Sequence, residues 1–350
     1  MGGRVAEDPG DSPDDHDVSA TTGGQLVAGA IDGLANHTNV RCSLIHFHGR
    51  VGMSTQKFNF SGQGGLVACG GPGFLTHTKR EGLRTDSMEN TAHMRALTDT
   101  DVEFFRTHGY IVRDDWVSAD ELAHFVDLFD RDRDERRYRW HRYGHHQEAN
   151  YDALCTTPAF DEVVRHPKVY DAVVELMGGP VCFGEIGARF MGAYDGELHQ
   201  GWHRDRPHWP EHPLRMDYIQ QMLYLSDVEP DTHCFSLSPE GIEQPILTDN
   251  DEQLTRGGCV DIHGKAGTVC LFNVAVLHTA TTRPTSAERK TMQIYYGHRD
   301  RAPLANDSVI PPLFWQHGDD EARAFYGNLN DVSRLYAQSF GLELPADGAA

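Results

Sequence analysis

The chain has 350 residues, a formal net charge of -21, 39% hydrophobic residues and 24% charged residues. No stretch approaches the roughly 20 consecutive apolar residues that a bilayer requires, which excludes a membrane-spanning protein, and the composition excludes a collagen-like repeat. The acidic balance repels phosphate backbones and anionic lipid surfaces at long range, so nucleic-acid and membrane roles are set aside and a small-molecule substrate is expected.

At about 150 residues per domain, length alone suggests two units. Composition puts the boundary at Met94. Residues 1–93 hold 16 of the 35 glycines but only four of the 33 aromatic residues, Phe47, Phe58, Phe60 and Phe74. They read as a glycine-rich extension, disordered or upstream of the true start, and residues 94–350 as the folded unit. The run from Ser61 to Gly73 lacks both the G-K-[ST] ending and the G-x-G-x-x-G spacing of a phosphate loop. Seven scattered cysteines without a C-x-x-C pair, after an N-terminus with no signal-peptide pattern, fit reduced thiols and a cytoplasmic location.

From Thr98 the elements become legible. Asp99 to Thr107 predicts a short helix closed by Gly109, and Tyr110 to Val112 a brief strand. Ser118-Ala-Asp-Glu121 is a capping box, in which the hydroxyl and the carboxylate satisfy each other's free backbone N–H groups. Leu122, Phe125, Val126 and Phe129 then share one helical face. A helix pair follows over Pro158 to Arg165 and Lys168 to Met177, ended by Gly178-Gly179-Pro180. Beyond it come short apolar runs separated by turn residues: Val181 to Ala193, Tyr218 to Ser226, Cys234 to Leu237, Thr268 to Phe272 and Lys290 to Tyr296. Strands following a helical block without βαβ alternation predict a mainly β fold, an antiparallel sandwich or jelly roll with helices on one side.

Between two of these strands lies Gln200-Gly-Trp-His203-Arg-Asp205. In extended chain, residues two apart point the same way, so the His203 imidazole and the Asp205 carboxylate can reach one metal ion. The triplet alone says little, because 21 His and 33 Asp supply about two H-x-D triplets by chance. His298-Arg-Asp300 and His317-Gly-Asp319 are the other two. Only the first precedes a later apolar strand that leads to a histidine, His278, with Arg289 eleven residues further on. Two His and one carboxylate leave half of an octahedral ion open, the arrangement of non-heme Fe(II) oxygenases. The guanidinium of Arg289 would suit the distal carboxylate of a 2-oxo diacid chelating that ion.

Residues 95 to about 300 resemble the phytanoyl-CoA dioxygenase family of Fe(II)/2-oxoglutarate oxygenases. The resemblance rests on the opening from Leu97 through Gly109-Tyr-Ile-Val112, the Ser118 helix, the H-x-D triplet, the distal histidine and the arginine, in that order. It implies a cupin-like double-stranded β-helix, with His203, Asp205 and His278 binding iron and Arg289 binding 2-oxoglutarate. Gln200 corresponds to a glutamine that some members place three residues before the first ligand to contact the cosubstrate, and Thr279 joins it as a candidate contact.

Two departures stand out. Asp231 to Gly241 replaces the usual glycine-rich turn, and Ala280 replaces a small hydroxyl residue two positions after the distal histidine. Halogenating relatives exchange the carboxylate ligand for a small residue; Asp205 is present, which favours hydroxylation with consumption of O2 and release of succinate and CO2. The His-Arg-Asp sequences lack the following Asn of a kinase catalytic loop, and that reading is rejected. Trp202, Arg204, Arg206, His208 and Trp209 cluster near the first ligands, with Tyr194 and Tyr224 on neighbouring strands. The two arginines hint at an anionic group. The competing readings are a non-catalytic metal-binding β-barrel and a zinc hydrolase with the same three ligands, neither of which needs Arg289. Oligomeric state is not legible.

Overall fold

The computed structural model describes residues 95–304 and 308–345. The glycine-rich segment therefore lies outside the described residues.

Helix α1 (Asp99–His108) starts at a capping box between Thr98 and Asp101 and ends at Gly109, whose φ of 77° is left-handed backbone. Glycine is needed there twice over, because a Cβ would also sit 2.5 Å from Val276 Cγ2. The chain turns directly into strand β1 (Tyr110–Arg113). Helix α2 (Ala119–Glu135) begins at the predicted Ser118/Glu121 box and buries Phe125, Leu128, Phe129 and Asp132, while Leu122 and Val126 flank that face half-buried. Strands β2 (His141–Tyr143) and β3 (Gln147–Asn150) form a hairpin. Short helices α3 (Ala153–Thr156) and α4 (Asp161–Val164) lead into α5 (Pro167–Met177), which Pro167 opens and Gly178 closes.

The strands follow: β4 (Val181–Met191), β5 (Tyr218–Tyr224) and β6 (Cys234–Leu237), then helix α6 (Asn250–Gly257). After it come β7 (Val260–Ile262), β8 (Val269–Asn273), β9 (His278–Thr281) and β10 (Arg289–His298). Helices α7 (Pro312–Trp315), α8 (Asp320–Tyr326) and α9 (Asp331–Ser339) close the chain.

A seven-stranded sheet runs β1-β8-β5-β10-β4-β3-β2 and a smaller one β7-β6-β9. Every recorded pairing is antiparallel. The segment 194–203 runs along β9 and the chain just after it through isolated bridges Tyr194↔Thr285, His199↔Thr282 and His203↔His278. The result is a cupin-type jelly roll, as the alternation of short strands and turns predicts.

The period-two pattern of β10 explains its two faces. Met292, Ile294 and Tyr296 join a core that includes Phe125 and Phe129 of α2, Val169 and Val173 of α5 and Phe325 of α8. Arg289, Gln293 and Tyr295 turn instead into a cavity. A second apolar core, including Met222, Tyr224, Phe235, Leu237 and Phe272, ties the two sheets together beside that cavity. Among the described residues no helix is long and apolar enough to cross a membrane.

Candidate metal centre

Backbone pairing builds the site. His203 N donates to His278 O at 3.0 Å and His278 N returns the bond to His203 O at 2.9 Å, so the two residues are a hydrogen-bonded cross-strand pair. Asp205 N donates to Val274 O at 3.1 Å, which carries the pairing past the turn before β9. That turn is held by Asn273, whose side-chain oxygen accepts from Ala275 N at 2.9 Å. Side chains two apart on one edge and directly opposite on the other must then converge.

They do. His203 Nε2 lies 3.4 Å from Asp205 Oδ1, His278 Nε2 lies 3.5 Å from Asp205 Oδ2, and the donor atoms of the three residues all fall within 4.8 Å of one another. The remote nitrogens are committed: His203 Nδ1 donates to Gly201 O at 2.7 Å and His278 Nδ1 to Val276 O at 2.8 Å. A carbonyl can only accept, so each Nδ1 carries a proton and each Nε2 is the nitrogen available to a metal. Phe272 and Phe235 pack on the His278 ring, at 4.9 and 5.7 Å between centroids, and restrict its orientation. Burial works to raise the Asp205 carboxyl, but hydrogen bonds and charge from His203 and His278 outweigh it and hold the group well below the ordinary carboxylate range. It is therefore an anion at neutral pH.

Tyr295 supports the carboxylate by donating its hydroxyl to Asp205 Oδ2 at 2.9 Å. Burial pushes that phenol well above its usual pKa, so it stays a donor. Removing such an outer partner commonly costs roughly tenfold to a hundredfold in metal affinity. Tyr295→Phe is expected to weaken Fe(II) binding by that factor in an anaerobic titration, with the fold intact by circular dichroism.

The triad opens onto a cavity of about 480 Å³. Arg289 lines it, is 1% exposed, and has no hydrogen-bond partner for Nε, Nη1 or Nη2. Burial pushes its pKa below the usual arginine value. A buried guanidinium with five unmet N–H donors is too costly to be structural filling; it requires an acceptor that enters the cavity. Gln220 and Gln293, bonded to each other at 3.2 Å, complete a polar floor.

Gln200 and Thr279 are placed differently. Gln200 Nε2 donates to Thr281 Oγ1 at 3.0 Å and Thr279 Oγ1 accepts from Gly201 N at 2.9 Å, so both tie the segment that carries His203 to β9, and neither lines the cavity. The hinted anion readers beside His203 and Asp205 also turn away. Arg204 pairs with Glu240 at 2.6 Å and Arg206 with Asp217 at 2.7 Å. Alternation is the reason: with His203 and Asp205 facing the cavity, positions 204 and 206 face the opposite side. His208 joins the Glu240 pair at 3.3 Å, and Tyr224 donates to Ile262 O at 2.7 Å; of that group only Trp202 lines the cavity.

Sequence reasoning missed Arg189. It lines the cavity from β4, and its signal was present as two charged residues on one face, Glu185 and Arg189, inside an otherwise apolar strand. Burial opposes its charge, while the phenols of Tyr151, Tyr295 and Tyr143 favour it and the pKa lies above the usual value.

The comparisons with known proteins agree with this architecture. The solved structure of EctD from S. alaskensis with bound Fe superposes with a TM-score of 0.51 at 19% identity, over 63% of this chain and 84% of that one. EctD with 2-oxoglutarate and 5-hydroxyectoine gives 0.50 at 18%, over 63% and 83%. The non-heme alpha-ketoglutarate-dependent carbocyclase SnoK from nogalamycin biosynthesis gives 0.50 at 16%, over 58% and 85%. At these identities the likeness is one of fold. No curated protein matches the chain. The family model described as phytanoyl-CoA dioxygenase (PhyH) matches residues 105–291, from within α1 into β10, which is more than half of the chain; the chain belongs to the phytanoyl-CoA dioxygenase family.

Proposed function

We propose that this protein is an Fe(II)- and 2-oxoglutarate-dependent dioxygenase that hydroxylates a small organic substrate, and that residues 94–350 are its catalytic unit. The observation that carries the reading is Arg289, a fully buried guanidinium without a partner, facing the same cavity as a two-histidine, one-carboxylate donor set. A diacid satisfies both ends at once. Its 2-oxo acid end suits a metal held by His203, Asp205 and His278, and its distal carboxylate suits the Arg289 fork. A zinc hydrolase or a non-catalytic metal barrel would leave that buried charge unmet.

Bound Fe(II) and 2-oxoglutarate would supply O2 activation coupled to oxidative decarboxylation of the diacid to succinate and CO2. The chain's own part is to position and to exclude. His203, Asp205 and His278 would hold the metal through one nitrogen or carboxylate oxygen each, a donor set that leaves room for cosubstrate and O2. Tyr295 keeps the Asp205 carboxylate oriented, and Gln220 with Gln293 holds a fixed polar floor. Trp202, Met222 and Phe235 supply apolar wall that limits water near the reacting carbon. The presence of a carboxylate ligand at position 205 supports hydroxylation as the outcome.

The test is anaerobic addition of Fe(II) and 2-oxoglutarate to the purified protein. A visible charge-transfer band is expected, and on admission of air one succinate for each 2-oxoglutarate consumed. Absence of the band at saturating iron would sink the reading.

A further inference from the structure

We propose that Arg189 anchors a single anionic group, a carboxylate, on the organic substrate; this rests on the iron and 2-oxoglutarate reading of the cavity. Arg189 lies opposite Thr291 on β10, two residues from Arg289, so the two arginines are diagonal neighbours on adjacent strands, about 7–8 Å apart. Its side chain lies over Gly187, where a Cβ would come within 3.2 Å of Nε. The guanidinium sits 4.5 Å from the ring of Tyr143 and 5.3 Å from that of Tyr151. Nη2 donates to Tyr151 OH at 2.9 Å, Nε has no partner, and the residue is only 8% exposed. A planar cation with aromatic rings against it is held in one orientation and keeps its N–H edge for an in-plane acceptor such as a carboxylate.

The charge balance of the cavity points the same way. Arg189 and Arg289 are its two cations, and Asp205 is the one carboxylate among its lining residues. A divalent ion raises that net single positive charge to three, and the two negative charges of 2-oxoglutarate bring it back to one. Counted over the lining residues, one positive charge then remains to face an anionic group. Glu185, buried four residues along the same strand, also favours the Arg189 charge but does not line the cavity. The other arginines around the centre contrast with it: Arg204, Arg206 and Arg283 are paired with Glu240, Asp217 and Asp261. The diacid does not need Arg189, since its two ends are taken by the metal and by Arg289.

The experiment uses the anaerobic Fe(II)·2-oxoglutarate protein and matched probes: benzoate, phenylacetate and cinnamate against benzamide, phenylacetamide and cinnamamide. Binding is read by calorimetry and by perturbation of the charge-transfer band. The acids are expected to bind and the amides to bind at least tenfold more weakly. Arg189→Gln is expected to weaken the acids by roughly tenfold to a hundredfold, the range for a charge-assisted pair, with Arg189→Lys in between. The 2-oxoglutarate titration of the band should be unchanged in both variants, which also reports an intact site. Equal binding of acids and amides, no binding of any acid, or acid binding unaffected by Arg189→Gln would overturn the proposal. So would a loss confined to 2-oxoglutarate affinity, which would assign Arg189 to the cosubstrate. A wild-type protein without the band would instead refute the underlying iron reading.

Discussion

Asp205→Ala is expected to abolish the Fe(II)·2-oxoglutarate charge-transfer band and to reduce succinate formation to background. Asp205 is the hub of the triad, with one oxygen 3.4 Å from His203 Nε2 and the other 3.5 Å from His278 Nε2. Losing it would remove one of the three proposed ligands, the only negative charge contributed by the triad, and the acceptor of the Tyr295 hydroxyl. The effect on iron affinity should therefore exceed the roughly tenfold to hundredfold cost of an outer partner, which makes Tyr295→Phe the internal reference. Asp205→Glu is the sharper control. It keeps the charge but adds a methylene between two histidines fixed by mutual backbone bonds of 3.0 and 2.9 Å, so activity should stay low although the charge is restored. The sign of the stability effect also follows. The folded carboxyl titrates below its unfolded value of about 3.9, so its contribution is fully present above that value and is lost as pH falls through the folded one. At pH 7 Asp205→Ala should lower the melting temperature of the metal-free protein, and that deficit should narrow on acidification. A variant that retained the band would remove Asp205 from the metal site altogether.

What was legible in the sequence divides along physical lines. Local signals with one structural solution were read directly: the Ser118/Glu121 box, the left-handed stop at Gly109, and long apolar strands such as β5 and β8. The convergence of His203, Asp205 and His278 was legible because an H-x-D step and a strand-leading histidine obey the same period-two rule that the backbone bridge between His203 and His278 realises. The β2–β3 hairpin escaped, since its turn places His145 and His146 at φ of 59° and 57°, conformations for which glycine or asparagine is the usual marker. Short strands β7 and β9, of three and four residues, carry too little periodicity to announce themselves. The arginines were hard to place for a different reason. Proximity in sequence drew attention to Arg204 and Arg206, whereas the sheet brings Arg189 to the cavity from a distant strand and turns the other two onto Glu240 and Asp217. Nearness along the chain and nearness in the cavity are set by different rules, and only strand register connects them.

That distinction gives Arg289 an unusual expected phenotype. A structural arginine stabilises the fold through its partners, so its replacement lowers the melting temperature. Arg289 has no hydrogen-bond partner for any side-chain nitrogen and is 1% exposed, so the ligand-free protein bears the desolvation of a cation without a matching gain. Arg189, a diagonal neighbour, adds like-charge repulsion. Arg289→Met keeps much of the volume and removes the charge. The melting temperature of the ligand-free variant is expected to hold or rise by a few degrees, by analogy with the roughly 1–4 kcal/mol gained where apolar residues replace buried ion pairs. The response to ligand should move the other way. In the wild type, 2-oxoglutarate with Fe(II) stabilises the fold in proportion to the logarithm of its concentration over its dissociation constant. In Arg289→Met that increment should vanish at concentrations that saturate the wild type, and the charge-transfer band should require at least a hundredfold more 2-oxoglutarate. Differential scanning calorimetry with and without ligand measures both halves on one sample. A lower melting temperature with an unchanged ligand response would make Arg289 a structural residue and remove the diacid anchor from the site.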